Sequence, residues 1–130
     1  MGENSAQFHE ATDALRQETM ERHRAIASLM EELEAVDWYD QRVDATTDES
    51  LKAILAHNRD EEKEHAAMAI EWLRRHDPGW DEVLRTYLFT DAPITEVEEE
   101  AMGTGGDAPA PPPGAAGSLG IGALSDKETL

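Results

Sequence analysis

The chain has 130 residues, 29 acidic and 11 basic, for a formal net charge of -18, and no cysteine. That length supports one hydrophobic core but not two. The missing thiols exclude disulfides, thiolate zinc sites and iron–sulfur clusters, and the acidic excess repels nucleic acid and anionic membranes while drawing cations to the surface.

Any metal must therefore be held by imidazole and carboxylate. An acidic surface also serves solubility, so charge alone does not establish a metal ligand set. The first thirty residues lack an apolar signal core and no stretch approaches a membrane span, so a soluble, cytoplasmic protein is expected. Aromatic content is 5% while Ala, Glu, Leu and Arg are frequent, which favours an all-α fold.

From about Phe8 the pattern is helical, with Leu15, Arg22, Ile26, Leu29, Leu33 and Val36 on one side. No Pro or Gly interrupts it, and the spacing predicts a helix to about Val43. A helix of about 35 residues would span about 50 Å, too long for a lone compact domain of this size. Asp44 to Thr47 form the turn, with Thr46 and Glu49 as a capping box for a second helix from about Thr47 to Arg75. Asp77-Pro78-Gly79 ends that helix. The short connection makes the two long helices antiparallel neighbours, a helical hairpin.

Trp80, Val83, Leu84, Tyr87 and Leu88 predict one short amphipathic helix over residues 79–89. Thr90 or Asp91 can cap a last helix with Pro93 near its start, and the acidic Glu96, Glu98, Glu99 and Glu100 along it read as a solvated face or as a cation-gathering one. The folded domain is thus placed at residues 1–102. Residues 103–116 hold most of the Gly and Pro and read as a flexible linker. In residues 117–124 the apolar Leu119, Ile121 and Leu124 stand among small residues, as expected of a docking peptide that orders on a partner, and residues 125–130 form a terminal extension.

The candidate chemistry lies in Glu61-Glu62-Lys63-Glu64-His65. At 100° per residue Glu62 and His65 share a face with Leu51, Ile54, Leu55, Ala66, Ala69, Trp72 and Leu73. Two ionisable groups in an apolar stripe are costly without compensation, which a bound metal or a hydrogen-bonded pair between subunits could supply. Glu-x-x-His is also what each of two helices contributes to a carboxylate di-iron bundle, the other two giving one Glu each. This chain has one such motif and two long helices, so a two-fold dimer would complete the inventory.

The single carboxylate comes from Glu31, Glu32 or Glu34; Glu32 lies closest to Leu29 and Val36 and is the best inward-facing candidate. Carboxylate oxygens with one imidazole per metal suit iron or manganese, with copper and zinc as competitors, and the expected reaction is oxidation of ferrous to ferric iron. Trp38 and Tyr39 are packing residues or, for Tyr39, a donor toward the metal. His57 and His76 read as surface or helix-end histidines, His9 and His23 carry no spacing argument, and Asn58 shares the face of Glu62.

The chain resembles the encapsulated ferritins of bacterial encapsulin nanocompartments. The residues that carry this are Arg22-His-Arg-Ala25, Met30-Glu-Glu-Leu-Glu-Ala-Val-Asp-Trp-Tyr39, Leu55-Ala-His-Asn58, Glu61 to Ala66, Glu71-Trp-Leu-Arg-Arg75, Arg85-Thr-Tyr-Leu-Phe-Thr90 and Gly117-Ser-Leu-Gly-Ile-Gly122. The resemblance implies a ferroxidase centre of Glu32, Glu62 and His65 at a two-fold interface. Glu31 and Glu34 would mark the place where metal enters, beside Trp38, and Tyr39 would stand near the centre. It further implies an open ring of dimers, a decamer, that oxidises iron and relies on the shell lumen for mineral storage. Calcium, manganese or zinc would be adventitious occupants. The tail resembles the peptide that docks cargo to the shell, with Ala123 where serine is often found and Ser125 to Leu130 where a basic residue is commonly seen early. A rival reading makes the chain a non-catalytic acidic adaptor tethered to a shell, and a third makes the di-iron centre a peroxidase.

Overall fold

The computed structural model describes residues 7–107, and everything described in it is helix, turn or irregular. After a short 3-10 turn at Thr12–Ala14 come four helices: α1 at Gln17–Ala45, α2 at Glu49–His76, α3 at Pro78–Tyr87 and α4 at Ile94–Asp107. The described residues form two compact units that divide between Leu73 and Arg74, in the last turn of α2. No helix among the described residues is long and apolar enough to cross a membrane.

The first unit is the expected hairpin of two long antiparallel helices, shorter at its start than periodicity suggests. Leu15 and Arg16 are extended, with ψ of 139° and 157°, so α1 begins at Gln17 instead of near Phe8. The apolar pattern continues through Leu15, but it registers which side a residue occupies and not whether the backbone is helical there. At 29 residues α1 is about 43 Å long. Phe8 lies against the His23 ring, their centroids 4.3 Å apart, so the preceding segment rests on the first turns of α1.

The turn from α1 to α2 also differs in its cap. Asp48, not Thr46, closes α2: its Oδ1 accepts from the Leu51 backbone N–H at 2.9 Å and from the Ser50 hydroxyl at 2.9 Å. Those bonds hold the Asp48 carboxyl below its usual range. Such a cap stabilises a helix by about 1 kcal/mol. Thr46 instead accepts from the Asp48 N–H at 3.2 Å, shaping the turn before the cap.

This unit has little interior. Its buried apolar residues among those described are Ala66 and Leu73, whereas Leu33 at 52% and Ile54 at 56% exposure stand out from the stripes meant for a core. A two-helix hairpin can cover only part of either stripe with the other helix. The remaining apolar face is open.

In the second unit Asp77 caps α3, accepting from the Gly79 N–H at 2.9 Å, with Pro78 in the first turn where its missing N–H costs nothing. Arg74 donates to Asp81, and Arg85 Nε donates to the same carboxylate at 2.9 Å, tying α3 to the end of α2. The Thr86 hydroxyl is buried and donates to the Glu82 carbonyl at 2.8 Å, so it leaves no unmet polar group. The turn after α3 holds Phe89 at φ 61°, a conformation that disfavours side chains with a Cβ.

Two boundaries here also differ from expectation. The Thr90 hydroxyl turns back to the Tyr87 carbonyl, closing α3, and α4 starts on Pro93, whose carbonyl accepts from Glu96 and Val97. Neither Thr90 nor Asp91 is the cap. Then α4 continues through Gly103 to Asp107, past the end expected at Met102, because a helix already nucleated extends at low cost per residue. The remainder of the proposed linker, Leu119, Ile121, Leu124 and the terminal extension lie outside the described residues.

Candidate metal centre

The hairpin brings one residue of α1 to two of α2. Glu32, Glu62 and His65 each offer an oxygen or nitrogen, and these atoms all lie within 4.8 Å of one another. His65 Nδ1 is 3.3 Å from Glu62 Oε1 and 3.5 Å from Glu32 Oε1. Glu62 and His65 meet because a three-residue step on a helix returns to the same face, and Glu32 joins them because the antiparallel register sets the middle of α1 beside them. The two carboxylates are partly covered and the imidazole is half exposed.

Electrostatically the three form one unit. The Glu32 carboxyl is raised above its ordinary value, first because it donates a hydrogen bond to Glu62, then through burial and the Glu62 charge, with His65 opposing. Glu62 is lowered, chiefly by the bond it accepts from Glu32. For His65 partial burial works against the charged ring, but the hydrogen bond it donates to Glu62 and the charges of both carboxylates together outweigh it, and its pKa is raised.

A divalent cation would compete with protons for these atoms. Two carboxylates and one imidazole fit iron(II) or manganese(II), hard enough for oxygen yet able to take a nitrogen ligand. Affinity for a divalent cation is expected to rise with pH as His65 deprotonates above the ordinary histidine value of about 6.5. The fold responds in the other direction. Because the folded-state pKa of His65 is raised, the stability it contributes is complete below the unfolded value and is lost as pH rises through the folded one. Cobalt(II) titration and metal-free thermal unfolding across this window should show opposite trends, and an affinity independent of pH would contradict this account.

The other candidates are placed differently. Glu31 and Glu34 are exposed on α1 and stand outside the three-residue cluster. Trp38 is also exposed, and the Tyr39 ring lies under the Arg42 guanidinium, 5.4 Å from it. Asn58 is half-buried. His57 does have a carboxylate partner, Glu61 at 3.1 Å, one turn after it rather than three residues before. The ion pair from Arg59 to Asp40 across the hairpin carried no signal in either helical pattern.

The chain is similar to known proteins over a stretch that includes the cluster. The family model described as EncFtn-like matches residues 7–91. The chain is 60% identical to the encapsulated ferritin-like protein of Rhodospirillum rubrum, covering 100% of this chain and 96% of that one. It is 39% identical over 84 residues to the encapsulin nanocompartment cargo protein EncC of Myxococcus xanthus, covering 62% of this chain and 65% of EncC. A crystal structure of a Nitrosomonas europaea protein superposes with a TM-score of 0.65 at 64% identity, over 67% of this chain and 96% of that chain.

Proposed function

The chain belongs to the EncFtn-like family, and from that premise we propose that it is a ferroxidase, oxidising ferrous to ferric iron at a centre shared by two copies inside an encapsulin shell. The observation that carries this reading is the convergence of Glu32, Glu62 and His65 on an open face of the hairpin. Each chain supplies half the ligand set of a carboxylate di-iron bundle. Pairing two hairpins about a two-fold axis would cover Leu33 and Ile54 and bring the second half to the first.

Iron is the substrate, and the residues divide its handling. Glu32 and Glu62 would bind as carboxylates, and His65 would bind through a ring nitrogen once neutral. Glu31 and Glu34, exposed on the same helix as Glu32, would gather ferrous ions beside Trp38 on the way in, and Tyr39 would stand near the centre. Calcium, manganese or zinc would compete for these oxygens without being oxidised in turnover. Two ferrous ions give up one electron each. Dioxygen accepts both with two protons and leaves as hydrogen peroxide, or peroxide accepts both with two protons and leaves as two waters.

The measurement that tests this is ferric absorbance after mixing ferrous iron with the assembled protein, with dioxygen and with peroxide in turn. Saturable, protein-dependent oxidation by dioxygen sustains the ferroxidase reading. Oxidation by peroxide alone would make the centre a peroxidase, and no rate enhancement by either would leave an acidic adaptor.

Delivery to a shell is assigned to the end of the chain. We place a linker between the helical domain and residues 117–124, whose Leu119, Ile121 and Leu124 would dock on the encapsulin wall while an open ring of dimers, a decamer, works in the lumen. The encapsulated character named for the Rhodospirillum rubrum relative supports this. Deleting residues 117–130 is expected to leave oxidation intact and to abolish co-purification with a co-expressed shell protein. Shells loaded with the truncated chain would contradict the docking assignment.

A further inference from the structure

Between the α1–α2 turn and the metal cluster, a charged contact crosses the hairpin. Arg59 on α2 donates through Nη1 to Asp40 Oδ1 on α1 at 3.0 Å and through Nε to Asp60 Oδ1 at 3.1 Å. Its side chain is only 22% exposed, so the guanidinium lies against the hairpin instead of extending into water. Asp60 orients the planar fork from within α2 and Asp40 receives it from α1.

We infer that the Arg59–Asp40 pair is a positioning device, fixing the register of α1 against α2 and hence the approach of Glu32 to Glu62 and His65. This rests on reading those three residues as the metal-binding set. The need for such a device follows from the thin interior of this unit, where the buried apolar residues are Ala66 and Leu73. Two helices with so little interlocking side-chain volume resist sliding and rotation weakly. A slip of one residue would carry Glu32 about 1.5 Å along the axis and turn it about 100°, whereas metal–ligand distances tolerate about 0.2 Å.

Position suits the role. Arg59 stands one turn before Glu62 on the same face of α2, and Asp40 lies about 12 Å beyond Glu32 along α1. Turn, ion pair and metal cluster therefore follow one another up the hairpin, so the pair limits motion that the turn alone would pass on to the cluster. With its Asp40 carboxylate 63% exposed, the pair is screened by water and adds little to global stability. A loss confined to the metal site therefore distinguishes positioning from ordinary stabilisation.

The test compares the full-length chain with Arg59→Ala, Asp40→Ala and the exchange Asp40→Arg with Arg59→Asp. Cobalt(II) affinity is the probe, with thermal unfolding and ferrous oxidation measured alongside. Each single variant is expected to bind cobalt on the order of tenfold more weakly, as when a group supporting a metal ligand is lost, with little change in unfolding temperature. The exchange is expected to restore most of that loss. Cobalt affinities within twofold of the parent in both single variants, or an exchange as weak as the singles, would overturn the inference. Cobalt binding that depends on Arg59 in a chain unable to oxidise iron would sustain the positioning role and overturn the ferroxidase reading. Oxidation by a chain whose cobalt affinity ignores Arg59 would do the reverse.

Discussion

Replacing Glu62 with Ala is expected to lower the initial rate of ferrous oxidation by about a hundredfold or more, and His65→Ala is expected to do the same. Glu62 acts twice in the cluster: it would offer an oxygen to the metal, and its carboxylate beside Glu32 raises the Glu32 carboxyl above its ordinary value. Without it one acidic partner is gone and Glu32 loses that neighbour. Neither side chain belongs to the buried core, so both variants should retain the helical content of the parent. Circular dichroism checks that point, and stopped-flow ferric absorbance checks the rate. Full activity in either folded variant would remove the assignment.

The second large effect is expected from a charge on the open face of the hairpin. Leu33→Asp or Ile54→Asp should fold, since both positions are more than half exposed in the single chain. In a two-fold pair, however, each substitution enters the interface twice. Burying a carboxyl without a partner costs at least about 2 kcal/mol even when the group is driven neutral, so about 4 kcal/mol over two copies weakens association on the order of a thousandfold. Light scattering should show the smaller species, and oxidation should fall with it because the half-sites no longer meet. A variant that assembles as the parent does would place the interface elsewhere.

The long helices were legible because their signals are redundant. Over α2, the apolar stripe, the acidic first turn and Asp77-Pro78-Gly79 agree, and observed and expected limits differ by one or two residues. At the start of α1 only periodicity was available, and it continued through Leu15 although the backbone there is extended. The cap of α2 was misplaced by two residues because Thr46 and Asp48 are both good N-cap types, and only geometry shows that Asp48 reaches the Leu51 N–H. At α4 a run of glycines argued for a stop, yet the helix continues through Gly103 to Asp107.

The candidate centre shows the same division. That Glu62 and His65 face together follows from local spacing, and Glu32 was separated from Glu31 and Glu34 by angle on the wheel; these are short-range inferences. The Arg59–Asp40 contact joins residues nineteen apart in a chain with 29 acidic side chains, so no local pattern singles out that partner. His57, read as a surface histidine, pairs with Glu61 one turn after it. Long-range polar pairing depends on the register of two helices, which hydrophobic periodicity constrains only loosely when the shared interior is this small.

The central claim is a two-iron site divided between two chains, and an anaerobic ferrous titration of the assembled protein tests it most directly. Saturation at one iron per chain, followed by rapid ferric absorbance on adding oxygen, is the predicted result. Saturation at two tightly bound irons per chain, or no saturable oxidation, would contradict it.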